Sequence, residues 1–86
     1  MKYTLLINRR AKKVLQKLSR SDRSRITEKI MMLGQNPEDL TLDIKPLVGK
    51  SLYRLRVGDW RIIFGRDDKV KIIAIEKINS RGDVYK

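Results

Sequence analysis

The sequence contains neither cysteine nor histidine among its 86 residues. Without cysteine there can be no disulfide and no thiolate catalysis, and without either residue no zinc finger of the usual kind. A histidine acid–base is excluded as well, so proton transfer would fall to other side chains. No grouping of carboxylates resembles a metal site, and we expect neither a metal ion nor any other cofactor.

Long apolar runs are also missing. No segment approaches the roughly 20 apolar residues of a membrane span, and the N-terminus lacks the apolar core of a signal peptide. We therefore expect a soluble, cytoplasmic protein. The length and the apolar content of 41% predict one domain, residues 1–86, with one modest core.

Positive charge is what the sequence has in excess. Lysine and arginine number 21 against 10 aspartates and glutamates, which gives a formal net charge of +11. Residues 1–34 carry ten basic and two acidic side chains, and residues 35–86 carry eleven and eight. This excess predicts a polyanionic partner, such as a nucleic acid, a nucleoprotein particle or an acidic protein.

Hydrophobic periodicity predicts the element order β-α-α-β-β-β. Asn8 is a suitable N-cap for a first helix, and Gly34 is a suitable C-cap for a second one. The helices are expected over about residues 9–18 and 22–33, and the strands over Lys2–Ile7, Leu52–Val57, Trp60–Arg66 and Lys69–Lys77, with the last strand central. Residues 35–50 are expected to be mostly loop with a short extended piece at 44–47, and Asn79–Asp83 to be irregular. The predicted fold class is α+β, an antiparallel sheet with an N-terminal helical hairpin packed on one face.

Arginines alternate with apolar residues in the predicted strands. Period two places Arg54 and Arg56 on one face, and a turn at Gly58-Asp59 brings Arg61 back beside them. Guanidinium groups gathered in this way bind phosphate as rigid forks. The alternative is a solvated face whose charges only maintain solubility. The same alternation assigns Trp60 and Phe64 to the core.

Arg81 and Tyr85 follow the predicted central strand and can fold back toward the arginines. In RNA the neighbouring 2′-hydroxyl is a built-in nucleophile, and arginines can stabilise the charge that its attack adds to the phosphate. Guanidinium is a poor base because it stays protonated. The proton-transfer groups remain open among the other titratable side chains of this region, namely Tyr85, Lys77, Lys86, Glu76 and Asp83.

At these residues the chain resembles the RelE/ParE superfamily of type II toxin–antitoxin toxins, over nearly its whole length. The resemblance is carried by the element order, by the segment LYRLRVGDWRIIF at residues 52–64, and by RGDVY at residues 81–85. The ending favours the RelE-like branch. The resemblance implies a ribosome-dependent endoribonuclease (an mRNA interferase) that cuts mRNA in the ribosomal A site by 2′-hydroxyl attack, without metal.

The resemblance also implies roles and partners. Arg61 and Arg81 match arginines that hold the scissile phosphate, and Tyr85 matches a tyrosine that orients the mRNA base. Arg54 and Arg56 stand where some members have lysines that act as base and phosphate ligand. The implied partners are the ribosome with its mRNA, and a cognate antitoxin with an acidic or amphipathic segment.

Two alternative functions remain open. A ParE-type toxin shares the fold and inhibits DNA gyrase. A non-catalytic nucleic-acid-binding module would use the same basic faces only to bind phosphate.

Overall fold

The computed structural model describes residues 2–49 and 51–80. These residues form two helices and five strands in the order β-α-α-β-β-β-β. The elements are β1 Thr4–Ile7, α1 Arg9–Lys17, α2 Arg20–Gln35, β2 Asp43–Pro46, β3 Tyr53–Val57, β4 Trp60–Asp67 and β5 Ile72–Ser80. The predicted α+β class, with a helical hairpin on one face of the sheet, is confirmed.

The sheet is mixed rather than wholly antiparallel. Its strand order is β1-β5-β4-β3-β2; β3, β4 and β5 form the expected antiparallel meander, and β2 adds one more antiparallel strand at its edge. β1, however, pairs with β5 in parallel, with Thr4 opposite Ile72 and Ile7 opposite Ile75. Hairpin reasoning covers only strands joined by short turns, whereas two helices and three strands separate β1 from β5 in the chain. β5 is therefore an interior strand between β1 and β4, as predicted, although the middle strand of the sheet is β4.

Several element boundaries differ from the prediction. The second helix was expected from about residue 22, but α2 begins at Arg20 because Ser19 is its N-cap. The short extended piece is a true edge strand, β2, which is where a strand containing Pro46 belongs. Val70 was expected in the central strand but lies in the preceding turn, 61% exposed. Asn79 and Ser80 were expected to be irregular but are the last residues of β5.

Side-chain caps begin both helices. Asn8 Oδ1 accepts the Ala11 N–H at 2.9 Å, and Ser19 Oγ accepts the Asp22 N–H at 3.2 Å. The apolar stripes predicted for the helices face the sheet, with Ala11 and Ile26 among the buried residues. In the described part of the chain, no helix has the length and apolarity needed to span a membrane.

The core lies between the helical hairpin and the sheet. Its largest fully buried side chains are Phe64, Ile26, Leu33, Leu55, Ile62, Ile73, Ile75 and Ile78. Phe64 stacks on Tyr53 with ring centroids 5.5 Å apart, and Trp60 packs against the cluster. The prediction that Trp60 and Phe64 belong to the core is confirmed.

Gly34 is not the helix C-cap that the sequence suggested. α2 continues to Gln35, and the C-cap is Asn36, whose N–H donates to the Met32 carbonyl. A Cβ on Gly34 would lie 2.9 Å from Cγ and Cδ1 of Leu5, while the Gly34 carbonyl accepts the Tyr3 N–H at 2.7 Å. The glycine is needed because β1 approaches the end of α2 too closely for a side chain.

A polar network closes the end of the sheet where β4 turns into β5. Asp68 Oδ1 accepts hydrogen bonds from Tyr3 Oη and Arg66 Nε, both at 2.7 Å. Arg66 also pairs with Glu38, and Lys71 lies over the Tyr3 ring at 5.3 Å. The network joins the segment just before β1, the strand β4, the β4–β5 turn and the loop after α2.

We predict that Gly34→Ala has opposite effects in two backgrounds. In the native chain the added methyl overpacks against Leu5, a type of change that costs about 1–3 kcal/mol, which outweighs a helix-propensity gain of about 1 kcal/mol. The free energy of unfolding should fall by about 1 kcal/mol. In a Leu5→Ala background the clash is relieved, and the same change should be stabilising. Urea denaturation of the four proteins checks this, and equal effects in both backgrounds would contradict it.

Acid should remove the stability that Asp68 contributes. Its hydrogen bonds from Arg66, and then from Tyr3, hold the pKa of the Asp68 carboxyl below its usual value of 3.8. Since the folded state lowers this pKa, the contribution is present above about pH 4 and is lost as the pH falls through the folded-state value. The stability difference between wild type and Asp68→Asn should therefore be largest near neutral pH and shrink in acid. Thermal melts across this range test it, with Asp59→Asn as control, and a constant difference would refute it.

Candidate phosphate-binding face

The outer face of the sheet, the side away from the helices, carries two rows of polar and charged side chains. Cross-strand partners share a face, so the register fixes both rows. The first row runs from β2 to β5 through Asp43, Arg56, Arg61 and Asn79, and the second through Lys45, Arg54, Ile63 and Lys77. Arg56 lies directly opposite Arg61, which confirms that Arg54, Arg56 and Arg61 gather on one face.

Positive charge dominates the two rows. They contain three arginines and two lysines against a single carboxylate, Asp43. Directly opposed positions have Cβ atoms about 5 Å apart, and diagonal ones about 7–8 Å apart. Like charges at this spacing repel one another, so a bound phosphate would relieve repulsion in addition to accepting hydrogen bonds.

Arg61 lies at the centre of the first row, opposite Arg56 on one side and Asn79 on the other. It is half-buried in β4, and its Nη1 atom is buried without a hydrogen-bond partner among the residues that the structure describes. A buried donor left unsatisfied costs free energy, and an acceptor that meets this nitrogen after a shift of the Arg61 side chain would recover it. Beside it, Ile63 is 4% exposed although it lies on the outer face, outside the main core. This combination favours binding of an anion at Arg61.

The tip of the β3–β4 hairpin brings in a further arginine. Gly58 has a φ of +58°, as the predicted turn requires, and its carbonyl accepts the Arg56 Nε–H at 3.3 Å. A Cβ on Gly58 would lie 2.7 Å from Nη2 of Arg25, so this α2 side chain lies against the turn. The sequence analysis missed Arg25, because helix periodicity marks it only as exposed.

Two other residues of the face were missed, and one candidate was located. Lys45 joins through the edge strand β2, and Asn79 through the end of β5. Alternation along β4 places Arg61 on the outer face, but only the register between β4 and β5 shows that Asn79 lies beside it. Lys77, a candidate for proton transfer, lies in the second row. Of the other predicted site residues, Arg81 and Tyr85 lie outside the described residues.

Glu76, another proton-transfer candidate, lies at a break in the strand register. Ile63 pairs with Lys77 and Phe64 pairs with Ile75, which leaves Glu76 as an extra residue without a partner in β4. Such a β-bulge re-aims the side chains that follow it. Without the bulge, Lys77 and Asn79 could not share the outer face while Ile73 and Ile75 point into the core.

Comparison with known proteins identifies the family. Residues 5–85 match the family model described as the ParE toxin of the type II toxin–antitoxin system parDE. The candidate toxin RelE1 of Methanocaldococcus jannaschii is 35% identical over 88 residues, covering 100% of this chain and 98% of that protein.

Solved structures agree with this assignment. The crystal structure of the archaeal RelE–RelB complex from Pyrococcus horikoshii OT3 matches with a TM-score of 0.83 and 33% identity, over 98% of this chain and 100% of that one. The RelB–RelE antitoxin–toxin complex from Methanococcus jannaschii matches with a TM-score of 0.75 and 27% identity, over 93% and 94%. The chain therefore belongs to the RelE/ParE superfamily and is a type II toxin of a toxin–antitoxin system.

Proposed function

We propose that this toxin is a ribosome-dependent mRNA endoribonuclease that inhibits translation in the cytoplasm. The observation that carries the proposal is the direct pairing of Arg56 with Arg61, where Arg61 presents a buried nitrogen without a hydrogen-bond partner among the described residues. Two guanidinium groups at this spacing fit the oxygens of one phosphodiester. RNA is the substrate class that brings its own nucleophile, so such a face needs few further groups.

The proposed reaction is an internal transesterification. The 2′-oxygen forms a bond to phosphorus, and the bond from phosphorus to the 5′-oxygen breaks. The proton of the 2′-hydroxyl passes to a base, and the departing oxygen takes a proton from an acid. Arg61 and Arg81 are assigned to the phosphate oxygens, whose negative charge grows during attack, and Tyr85 to the base of the nucleotide. Arg56 shares the scissile phosphate with Arg61, its cross-strand partner, and Arg54 binds a neighbouring phosphate.

More than one residue is a candidate for the general base and the general acid. Guanidinium cannot accept a proton at ordinary pH, which leaves Arg54 and Arg56 with electrostatic roles only. Tyr85 is our first candidate for proton transfer. Lys77 is the second, since it is a primary amine in the second row and lies diagonally across from Arg61. The ribosome would align the mRNA, so the toxin contributes charge stabilisation above all.

We further propose that a cognate antitoxin neutralises this toxin. The relatives from Pyrococcus horikoshii and Methanococcus jannaschii were crystallised as RelE–RelB complexes. An acidic or amphipathic segment is the partner that suits the five cations and one carboxylate of the two rows. Covering the rows would exclude RNA by competition for the same guanidinium groups.

Inhibition of DNA gyrase is the second candidate function. The observation in its favour is the match of residues 5–85 to the ParE toxin model. On that proposal the outer face contacts gyrase without cleaving a phosphodiester. The arginine rows would then act only as a docking surface, and mRNA would stay intact.

We expect the toxin to cut mRNA at A-site codons in a reconstituted translation reaction, as detected by primer extension. Arg61→Ala should reduce the cleavage rate by about 100-fold, the scale for losing one group that stabilises transition-state charge. Arg81→Ala should abolish the cuts. Arg61→Lys should recover only part of the rate, because lysine keeps the charge but loses the fork.

Arg23→Ala serves as the matched control, since Arg23 is an exposed arginine on α2 away from the outer face. It should leave the cuts unchanged, and naked RNA reports whether ribosomes are needed. Intact mRNA with continuing protein synthesis would overturn the nuclease proposal. A gyrase supercoiling assay on the same preparation would then decide for or against the second candidate.

A further inference from the structure

A groove of about 390 Å³ lies between α1 and the last part of β5. It is lined by Arg10, Ala11, Lys13, Val14, Lys77, Ile78 and Asn79. β1 pairs with β5 only as far as Ile75, so beyond that point no described strand covers this side of β5. The groove is the space that α1 leaves open there.

Asn8 sets the distance between the two walls of the groove. Its N–H donates to the Ile75 carbonyl at 3.1 Å, and its Nδ2 donates to the Glu76 carbonyl at 2.7 Å. The same side chain accepts the Ala11 N–H and so begins α1. One residue therefore fastens the start of the helix to the bulge of β5, which makes the groove a fixed feature of the fold.

The groove continues the two rows of the outer face. Lys77 and Asn79 line the groove, and they are also the β5 members of the second and first rows. Adjacent strands are about 5 Å apart, so the groove begins one strand spacing from Arg61. A nucleotide chain whose phosphate lies on Arg61 would reach the groove with its next residue.

The chemistry of the lining fits one nucleotide. Val14 is half-buried and supplies apolar surface for the flat face of a base, while Ala11 and Ile78 form the almost fully buried floor of the groove. Arg10, Lys13 and Lys77 supply cations for phosphate, and none of the described residues that line the groove is a carboxylate. The Asn79 amide can both donate to and accept from the edge of a base.

We propose that this groove is a nucleotide-binding subsite for single-stranded RNA, taking the nucleotide next to the one held on the arginine rows. The proposal rests on the proposed endoribonuclease function for its RNA substrate. It adds Arg10, Lys13 and Val14 of α1 to the RNA-contacting residues. An acidic amphipathic segment of a protein partner is the competing occupant, and the experiment distinguishes the two.

The test is a titration of the isolated toxin with a single-stranded RNA hexamer of mixed sequence. Binding is measured by fluorescence anisotropy and by NMR of labelled methyl groups. The Val14 and Ile78 methyls report on the groove, and the Ile63 methyl reports on the rows. We expect all three to shift on addition of RNA.

Two double charge-reversal variants of α1 distinguish RNA binding in the groove from a general effect of the protein's positive charge. Arg10→Glu with Lys13→Glu removes both α1 cations from the groove. Arg9→Glu with Lys12→Glu changes the same residue types at the same spacing, one position earlier on α1 and outside the groove lining. The first pair should raise the Kd for the hexamer about tenfold. It should also lower the slope of log Kd against log salt concentration by about 0.7 per lost phosphate contact. The second pair should raise the Kd less than about threefold.

Each outcome decides the proposal. Equal weakening by the two pairs, or RNA-induced shifts confined to Ile63, would overturn it. Shifts of Val14 and Ile78 with an acidic amphipathic peptide but not with the hexamer would assign the groove to a protein partner. If the hexamer shifts the groove methyls while mRNA stays intact on ribosomes, the subsite holds and only the nuclease proposal fails.

Discussion

The antiparallel pairing of β3 with β4 is the interaction on which the candidate site depends. The Gly58-Asp59 turn joins the two strands and sets the register in which Arg56 faces Arg61. A slip of one residue would turn the arginines toward the helices and put Leu55 in water. Burial of Leu55 and Ile62 opposes that slip, so the hydrophobic core itself specifies the spacing of the guanidinium groups.

The sequence predicted the part of the site that local rules govern. Alternation and a two-residue turn place Arg54, Arg56 and Arg61 together, and both rules concern neighbours in the chain. The missing part comes from long-range pairing. Lys45 joins through an edge strand, and Asn79 through a register that the bulge at Glu76 shifts. No local sequence pattern predicts the bulge at Glu76, because the bulge arises from the joint packing of both faces of β5.

Stability and function are separated along the sheet. At one end, the Tyr3–Asp68–Arg66–Glu38 network pairs opposite charges and joins four segments of the chain. In the two rows of the outer face, five cations stand against one carboxylate, which costs repulsion in the free protein. A fold can keep such a face only if other contacts hold it together. A polyanion or an acidic partner relieves the same repulsion, so binding and stabilisation are coupled.

The choice of arginine for the rows shapes the proposed chemistry. Arginine supplies fixed forks for phosphate but no base, so the rows can stabilise charge without moving a proton. A face of this kind is effective only when the 2′-hydroxyl is already aligned with the phosphate, since attack geometry must then come from how the RNA is held. The groove between α1 and β5 bears on that requirement. Lys77 and Asn79 belong to both the groove and the rows, so a nucleotide bound in the groove would orient the phosphate on Arg61 and give the RNA strand a direction across the sheet.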